Sequence, residues 1–234
     1  MNLTTRSFQP ELMDGDDWSR EEYVRTLRQL RLLNVLTNGY RPTLRAMEHF
    51  AARADGGLRV LDVGFGYGDT LRQVARWGKR SGVALDLTGI DLNPVSAELA
   101  HEASADDTSV RWLTGDVFAH KPDRPYDVVI NALFMHHMDD AQAVRILRWM
   151  AENSTLGFFV NDLHRHRVAY SFIRGFTRLF GFNRLIRHDA PLSVARSFRA
   201  HEWPDYAARA GLVPERLDVK WHWAFRYGVR YDHV

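Results

Sequence analysis

An apolar run from Leu58 to Val63 ends in three glycines at alternate positions, Gly64, Gly66 and Gly68. An amphipathic stretch then opens near Thr70, with Leu71, Val74 and Ala75 on one side. A strand that turns through glycine into a helix can bring its backbone, and the N–H groups of the helix N-terminus, close to a ligand. In an open α/β sheet such a turn faces the crevice where nucleotide-like ligands sit. Spacing narrows the choice. The dinucleotide fingerprint requires glycine or alanine where Asp69 stands, and no Gly-Lys-Ser/Thr follows to complete a phosphate loop.

From Leu58 onward, strand and helix patterns alternate. Strands are predicted at 58–63, 84–91, 109–114, 126–132 and 157–161, and helices at 70–80, 94–104, 140–152 and 202–210. Parallel strands with crossover helices make a doubly wound α/β sheet. The tail from Glu215 to Tyr231 alternates around Val219, Trp221, Trp223 and Phe225, which predicts an antiparallel strand pair. Upstream, the capping-box residues Ser19 and Glu22 precede Tyr23, Leu27, Leu30 and Leu33 and predict a helix over 20–36. A second helix, 43–53, follows Pro42. These two form an N-terminal cap that can close over a ligand or cover a sheet edge.

A chain of 234 residues suits one domain. Its expected parts are an N-terminal helical cap (1–56), a ligand-binding core (57–162), a helical insertion (163–203) and a closing helix end with strands (204–234). No cysteine is present, which excludes disulfides and thiolate chemistry. No leader pattern and no run of eighteen apolar residues is seen, so a cytoplasmic protein without a transmembrane segment is expected. The net charge of +2 conceals polarity: residues 163–203 hold eight arginines against Asp189 and Glu202.

Three further strand ends carry polar or acidic groups in order. The second strand ends at Asp91-Leu92-Asn93, with Asp91 at about the spacing where an acidic side chain meets ribose hydroxyls. The third ends at Thr114-Gly115-Asp116-Val117. The fourth, Tyr126 to Asn131, leads into Ala132-Leu133-Phe134-Met135-His136-His137-Met138. Together with the glycine turn, this succession resembles the class I S-adenosylmethionine-dependent methyltransferases across residues 58–161. The resemblance implies a Rossmann-like methyltransferase fold with S-adenosylmethionine as cofactor. It places cofactor contacts at Asp62, Gly64, Phe65, Gly66 and Gly68 in the turn, and at Asp91 with Leu92. It also places them at Asp116 with the amide of Val117, and at Asn131. Asn131-Ala132-Leu133-Phe134 lacks the paired prolines of amino-methylating relatives. Asn131 is also not a carboxylate, so no metal is expected.

About forty residues separate the fifth strand from the next predicted helix, far more than an ordinary connection. Within them Phe172, Phe176, Leu179 and Phe180 share a helical face beside Arg174 and Arg178. This predicts a cap over an apolar acceptor, with Phe172, Phe176, Phe180, His137 and His188 as substrate contacts. A basic amphipathic helix also suits peripheral contact with a membrane surface.

A second resemblance rests on Glu11-Leu12-Met13-Asp14, Asn161 to Arg165 and Arg187 to Ser193. These segments look like a bacterial group found with type III polyketide synthases, whose members methylate phenolic lipids, quinols or polyketides. More distantly they resemble ubiquinone- and menaquinone-pathway enzymes. The implied partner is a small, apolar, aromatic acceptor. Nucleic acid is not expected, since no RNA-binding module is seen, and a homodimer is compatible with the pattern.

A phenol with a pKa of about 10 is mostly protonated at neutral pH, so a neutral histidine that accepts its proton would assist methyl transfer. His164, held by Asp162, is the first expected base because it follows the fifth strand on the crevice side; His136 is the second. C-methylation of an activated ring carbon, or a non-catalytic S-adenosylmethionine-binding protein, remain the alternative readings.

Overall fold

The computed structural model describes residues 2–104 and 109–233. Seven strands, β1 (Leu58–Val63), β2 (Leu85–Asp91), β3 (Val110–Thr114), β4 (Tyr126–Ala132), β5 (Ser154–Leu163), β6 (Leu217–His222) and β7 (Arg226–Asp232), form one sheet in the order β3-β2-β1-β4-β5-β7-β6. The first five are parallel, and β7 runs antiparallel to both β5 and β6. Val63 lies in register with Ile90 on β2 and with Asn131 on β4. The three strands therefore end together at the reversal of strand order, where α/β sheets bind ligands.

The helices are α1 (Arg20–Leu36), α2 (Arg41–Ala51), α3 (Asp69–Ser81), α4 (Pro94–Glu102), α5 (Asp140–Glu152), α6 (Arg167–Leu179), α7 (Arg184–Arg196) and α8 (Trp203–Arg209). Strand parity sorts the core into two layers. Leu61, Val129, Phe158 and Val160 pack with Ile146 and Met150 of α5 and Trp203 of α8. Val60, Val128, Ile130 and Phe159 pack with Met47 and Phe50 of α2 and with Leu71 and Val74 of α3. The fold is the Rossmann-like methyltransferase sheet that the sequence implies, with its antiparallel C-terminal pair.

The two N-terminal helices separate in role. α2 covers the sheet, with Met47 and Phe50 fully buried. α1 lies over the crevice instead and contributes Leu27, Leu30, Leu33 and Asn34 to the cavity wall. The insertion is a helix pair. α7 runs through Pro191, a residue that ordinarily ends a helix.

The N-terminal segment is a strap laid along α7. The Ser7 N–H donates to Ala195 O (3.0 Å). The N–H groups of Leu12 and Met13 donate to the two oxygens of Asp189, at 2.8 and 3.0 Å.

Candidate active site

A cavity of about 980 Å³ opens beyond the carboxyl ends of β1, β2 and β4. At one end lies the glycine turn. Gly64, Gly66 and Gly68 all have φ between 53° and 70°. A Cβ on Gly64 would stand 2.2 Å from the Phe134 ring, and one on Gly68 would stand 2.6 Å from Trp112. Glycine is thus demanded by both conformation and space.

Asp91 spans the turn: its oxygens accept the N–H of Gly66 (2.8 Å) and of Asn93 (2.9 Å). Burial raises its pKa against these two bonds. Asp116 accepts the N–H of Phe118 at 2.9 Å, which holds the end of β3. Asp91, Leu92, Asp116, Val117, Gly64, Phe65 and Gly66 all line the cavity.

Three expected cofactor contacts lie behind this lining. Gly68 packs against Trp112 and Ala100. Asn131 is fully buried, with its amide donating to Met150 Sδ. Asp62 is 1% exposed and neither of its oxygens has a partner. Burial, together with nearby Asp69 and Asp91, raises its pKa well above the carboxylate range. An orphaned buried carboxyl beside a glycine cradle fits a ligand that brings hydrogen-bond donors or positive charge.

At the other end stands the His136-His137 turn. The His136 ring is buried, and its Nδ1 lies 2.7 Å from Asp162 Oδ1. Asp162 Oδ2 accepts the His136 backbone N–H at 3.1 Å, and Oδ1 also accepts that of Leu163 at 2.7 Å. Burial alone would raise the Asp162 pKa, but His136 and these bonds hold it below the usual value. A carboxylate on Nδ1 assigns the proton there, so Nε2 is the bare nitrogen. That nitrogen lies 3.9 Å from Glu11 Oε1, and both residues line the cavity.

His137 differs from its neighbour. Burial lowers its pKa, yet Glu11 and Asp14 (Nδ1 to Oδ1, 2.9 Å) outweigh burial and raise it to about 9. It is a cation at neutral pH and unsuited to accept a proton.

The structure corrects the expected pairing of Asp162 with His164. The Asp162 carboxylate turns to His136. His164 packs against the rings of Tyr227, His166 and Phe225, outside the cavity lining. Burial, with His166, Arg199 and Arg165 nearby, lowers its pKa to about 4, which makes it a weak base.

Among the expected substrate contacts, His137 and Phe172 line the cavity. Phe176 and Phe180 do not. They continue the Phe172 ring stack along the outside of α6, with centroids 5.5 and 4.5 Å apart, because the i, i+4 stripe follows the helix past the cavity mouth. His188 points outward and pairs with Asp189 at 2.7 Å.

The residue missed by sequence reasoning is Glu11. It is 4% exposed, accepts a bond from Ser193 Oγ at 2.8 Å and lies 3.8 Å from Arg196 Nε. Arg196 also donates to the carbonyls of His136 (2.9 Å), His137 (2.6 Å) and Gln9 (2.5 Å). Asp189, Ser193 and Arg196 stand at i, i+4 and i+7, one face of α7. That polar stripe is the signal from which the strap was readable.

Glu11, His136 and His137 bring three ligand-type atoms within 4.8 Å of one another, as a cation site would. Ser193 and Arg196 engage the carboxylate, and Asp14 engages His137 Nδ1. Each of the three residues thus already has protein partners.

Residues 60–154 match the family model of a methyltransferase domain. No curated protein sequence matches the chain. Among solved structures it is similar to the plantazolicin methyltransferase BpumL bound to a desmethyl-plantazolicin analogue and S-adenosylhomocysteine. The identity is 16% and the TM-score 0.62, over 86% of this chain and 80% of that one. It is also similar to a putative O-methyltransferase from Nostoc punctiforme PCC 73102, at 15% identity and TM-score 0.62 over 90% and 60%. A third is the O-methyltransferase NcsB1 of neocarzinostatin biosynthesis, solved with S-adenosylhomocysteine and 1,4-dihydroxy-2-naphthoic acid, at 18% identity and TM-score 0.52 over 75% and 49%. The chain thus spans less than two thirds of the latter two. The fold is that of the class I S-adenosylmethionine-dependent methyltransferases, and residues 60–154 within it carry the methyltransferase-domain match. Which acceptor it takes is a question for the far end of the cavity.

Proposed function

We propose that the chain O-methylates a phenolic, quinol or polyketide-derived small molecule, with His136 as the base and Asp162 as the group that orients it. The observation that carries this reading is the His136–Asp162 pair, which presents a bare Nε2 to the same cavity that holds the glycine turn and Asp91. S-adenosylmethionine, when bound, supplies a sulfonium-activated methyl group and leaves as the neutral thioether. Asp91 and the glycine turn are the residues to hold it, with Asp116 and Val117 at the adenine end.

His136 Nε2 takes the acceptor's hydroxyl proton, and the electron pair left on oxygen forms the new bond to carbon. Asp162 keeps the ring in the tautomer that can do so and stabilises the imidazolium that results. The apolar wall of Leu30, Leu33, Phe172 and Ile173 excludes water and suits an aromatic acceptor. The printed ligand of NcsB1, a dihydroxynaphthoic acid, is a hydroxylated aromatic of this kind and supports the reading.

The purified chain, given S-adenosylmethionine and a panel of alkylphenols and hydroquinones, should yield methyl ethers, identified by mass and by NMR of the methyl position. Methyl on ring carbon would replace the O-transfer reading with C-methylation. Tight cofactor binding without turnover on any acceptor would favour a non-catalytic role.

A further inference from the structure

The cavity mouth is bounded by three elements that hold one another in a ring. α1 meets the β6–β7 hairpin where Arg226 Nη2 donates to Asn34 Oδ1 at 2.7 Å. The hairpin meets the start of α6 where the rings of Phe225 and His166 stack, with centroids 5.1 Å apart. Asn183, just beyond α6, closes the ring on α1: its backbone N–H donates to Gln29 at 3.1 Å and its amide to Thr26 at 2.5 Å. The same elements line the cavity inside, through Leu33, Thr37, Phe172, Ile173, Ala224 and Phe225.

On the outside the ring is apolar and basic. Leu36 (61%), Leu179 (79%), Phe180 (63%) and Trp223 (68%) are exposed, with Leu32 and Val168 beside them. Such a set on one rim is a patch rather than scattered surface residues. Residues 20–36, 163–188 and 217–232, which make the ring, hold 13 Lys and Arg against four acidic residues, Glu21, Glu22, Asp218 and Asp232. The rest of the chain holds 18 basic and 25 acidic residues. Arg31, Arg41, Arg167, Arg174 and Arg178 are exposed.

We propose that this ring docks on an anionic lipid surface, so that the acceptor passes between bilayer and cavity without crossing water. Apolar side chains that protrude beside arginines enter the headgroup–acyl boundary while the guanidiniums meet anionic headgroups. Among the described residues no helix is long and apolar enough to cross a membrane, so the contact is peripheral. A two-fold dimer through the ring would set one basic face against its copy. The proposal rests on the phenolic-lipid or quinol reading only for the cargo; docking itself is measured without acceptor.

The test is co-sedimentation of the full chain with vesicles of phosphatidylcholine alone and of phosphatidylcholine with phosphatidylglycerol. Tryptophan emission is followed in parallel. Anionic vesicles should bind at least about tenfold tighter, with a blue shift and weakening by salt. The double variant Leu179→Asp/Trp223→Asp should lose about tenfold or more of that binding. Its S-adenosylhomocysteine affinity and Tm should stay unchanged, which certifies the fold. Wild type that ignores anionic vesicles, or a double variant that binds them equally well, would overturn the proposal. So would a preference for a single-stranded oligonucleotide, or a dimer that covers the ring. Turnover on a soluble phenol is read separately. Its loss with vesicle binding intact strikes the proposed function, and the reverse strikes only the docking.

Discussion

The two ends of the cavity are built in different ways. At the glycine end, the lining comes from strand ends within residues 63–132 and is held largely by backbone: Gly66 and Asn93 N–H groups on Asp91, and the Phe118 N–H on Asp116. At the histidine end, the lining converges from the strap, α1, the turn after β4, α6, α7 and the hairpin. There it is held by side chains such as Arg196, Asp189 and Asp162. A ligand met by one turn and a few strand ends leaves a short, ordered signature in the chain. A ligand met by six distant segments leaves none that is local. The contrast predicts that damage at the two ends should separate into cofactor affinity and turnover.

The largest separation is expected at His136. His136→Gln removes the bare nitrogen and should lower kcat by about 10²–10⁴-fold. S-adenosylhomocysteine affinity by calorimetry should be unchanged, because the glycine turn is untouched. Raising the pH should restore part of the rate, since the acceptor then ionises without help. Asp162→Asn should reproduce part of the loss by freeing the other tautomer. Equal loss of cofactor affinity in both variants would break the division between the two ends.

The opposite pattern belongs to Asp91. Asp91→Ala strips a carboxylate that fixes the Gly66 and Asn93 amides and that ribose hydroxyls are expected to meet. The cost is about 1–3 kcal/mol, or roughly five- to 150-fold in S-adenosylhomocysteine affinity by calorimetry. At saturating cofactor, kcat should recover most of its value.

Legibility follows the same division. β1 and β4 begin and end where alternation and the glycine turn placed them, and Asp91 and Asp116 line the cavity. These features are encoded within a few residues of one another. Gly68 and Asn131 carry the motif but serve packing, because the same spacing satisfies a tight helix–strand contact. For Asp162 the sequence points to a histidine partner, but not to the one the structure gives. Sequence distance favoured His164, two residues away, whereas alternation along β5 turns Asp162 toward His136 at the end of the neighbouring strand. Glu11 sits in an irregular segment with no periodicity of its own, and only the polar stripe on α7 marks where that segment lies. Pro191, a helix breaker by rule, hid the length of α7 and with it the stripe that anchors the strap.

A smaller effect tests the strap electrostatically. His137 has its folded pKa raised to about 9 from 6.5, with Glu11 and Asp14 outweighing burial. The stability this contributes is fully present below about pH 6.5 and is lost as pH rises through about 9. The Tm of the wild type, followed by scanning fluorimetry, should therefore fall across that window. Glu11→Gln should flatten the fall by returning His137 toward its ordinary value. A wild type whose Tm is level from pH 6.5 to 9 would show that the strap does not hold the imidazolium.

The smallest effect on turnover is expected at His164, and it discriminates most directly between the two candidate bases. His164 lies outside the cavity lining, and its pKa is lowered to about 4 from 6.5, burial being the largest cause. His164→Gln should leave kcat within about twofold, because a group so weakly basic and so placed contributes little to proton transfer. Its signature is in stability instead. Between pH 6.5 and about 4 the unfolded chain binds the His164 proton and the folded chain does not, so stability is lost as pH falls through that range. Removing the imidazole should make the acid limb of the Tm–pH curve shallower while leaving the alkaline limb, set by His137, in place. A His164→Gln variant with kcat reduced as far as that of His136→Gln would return the base to the end of β5. An unchanged rate with a shallower acid limb would fix it at the turn after β4.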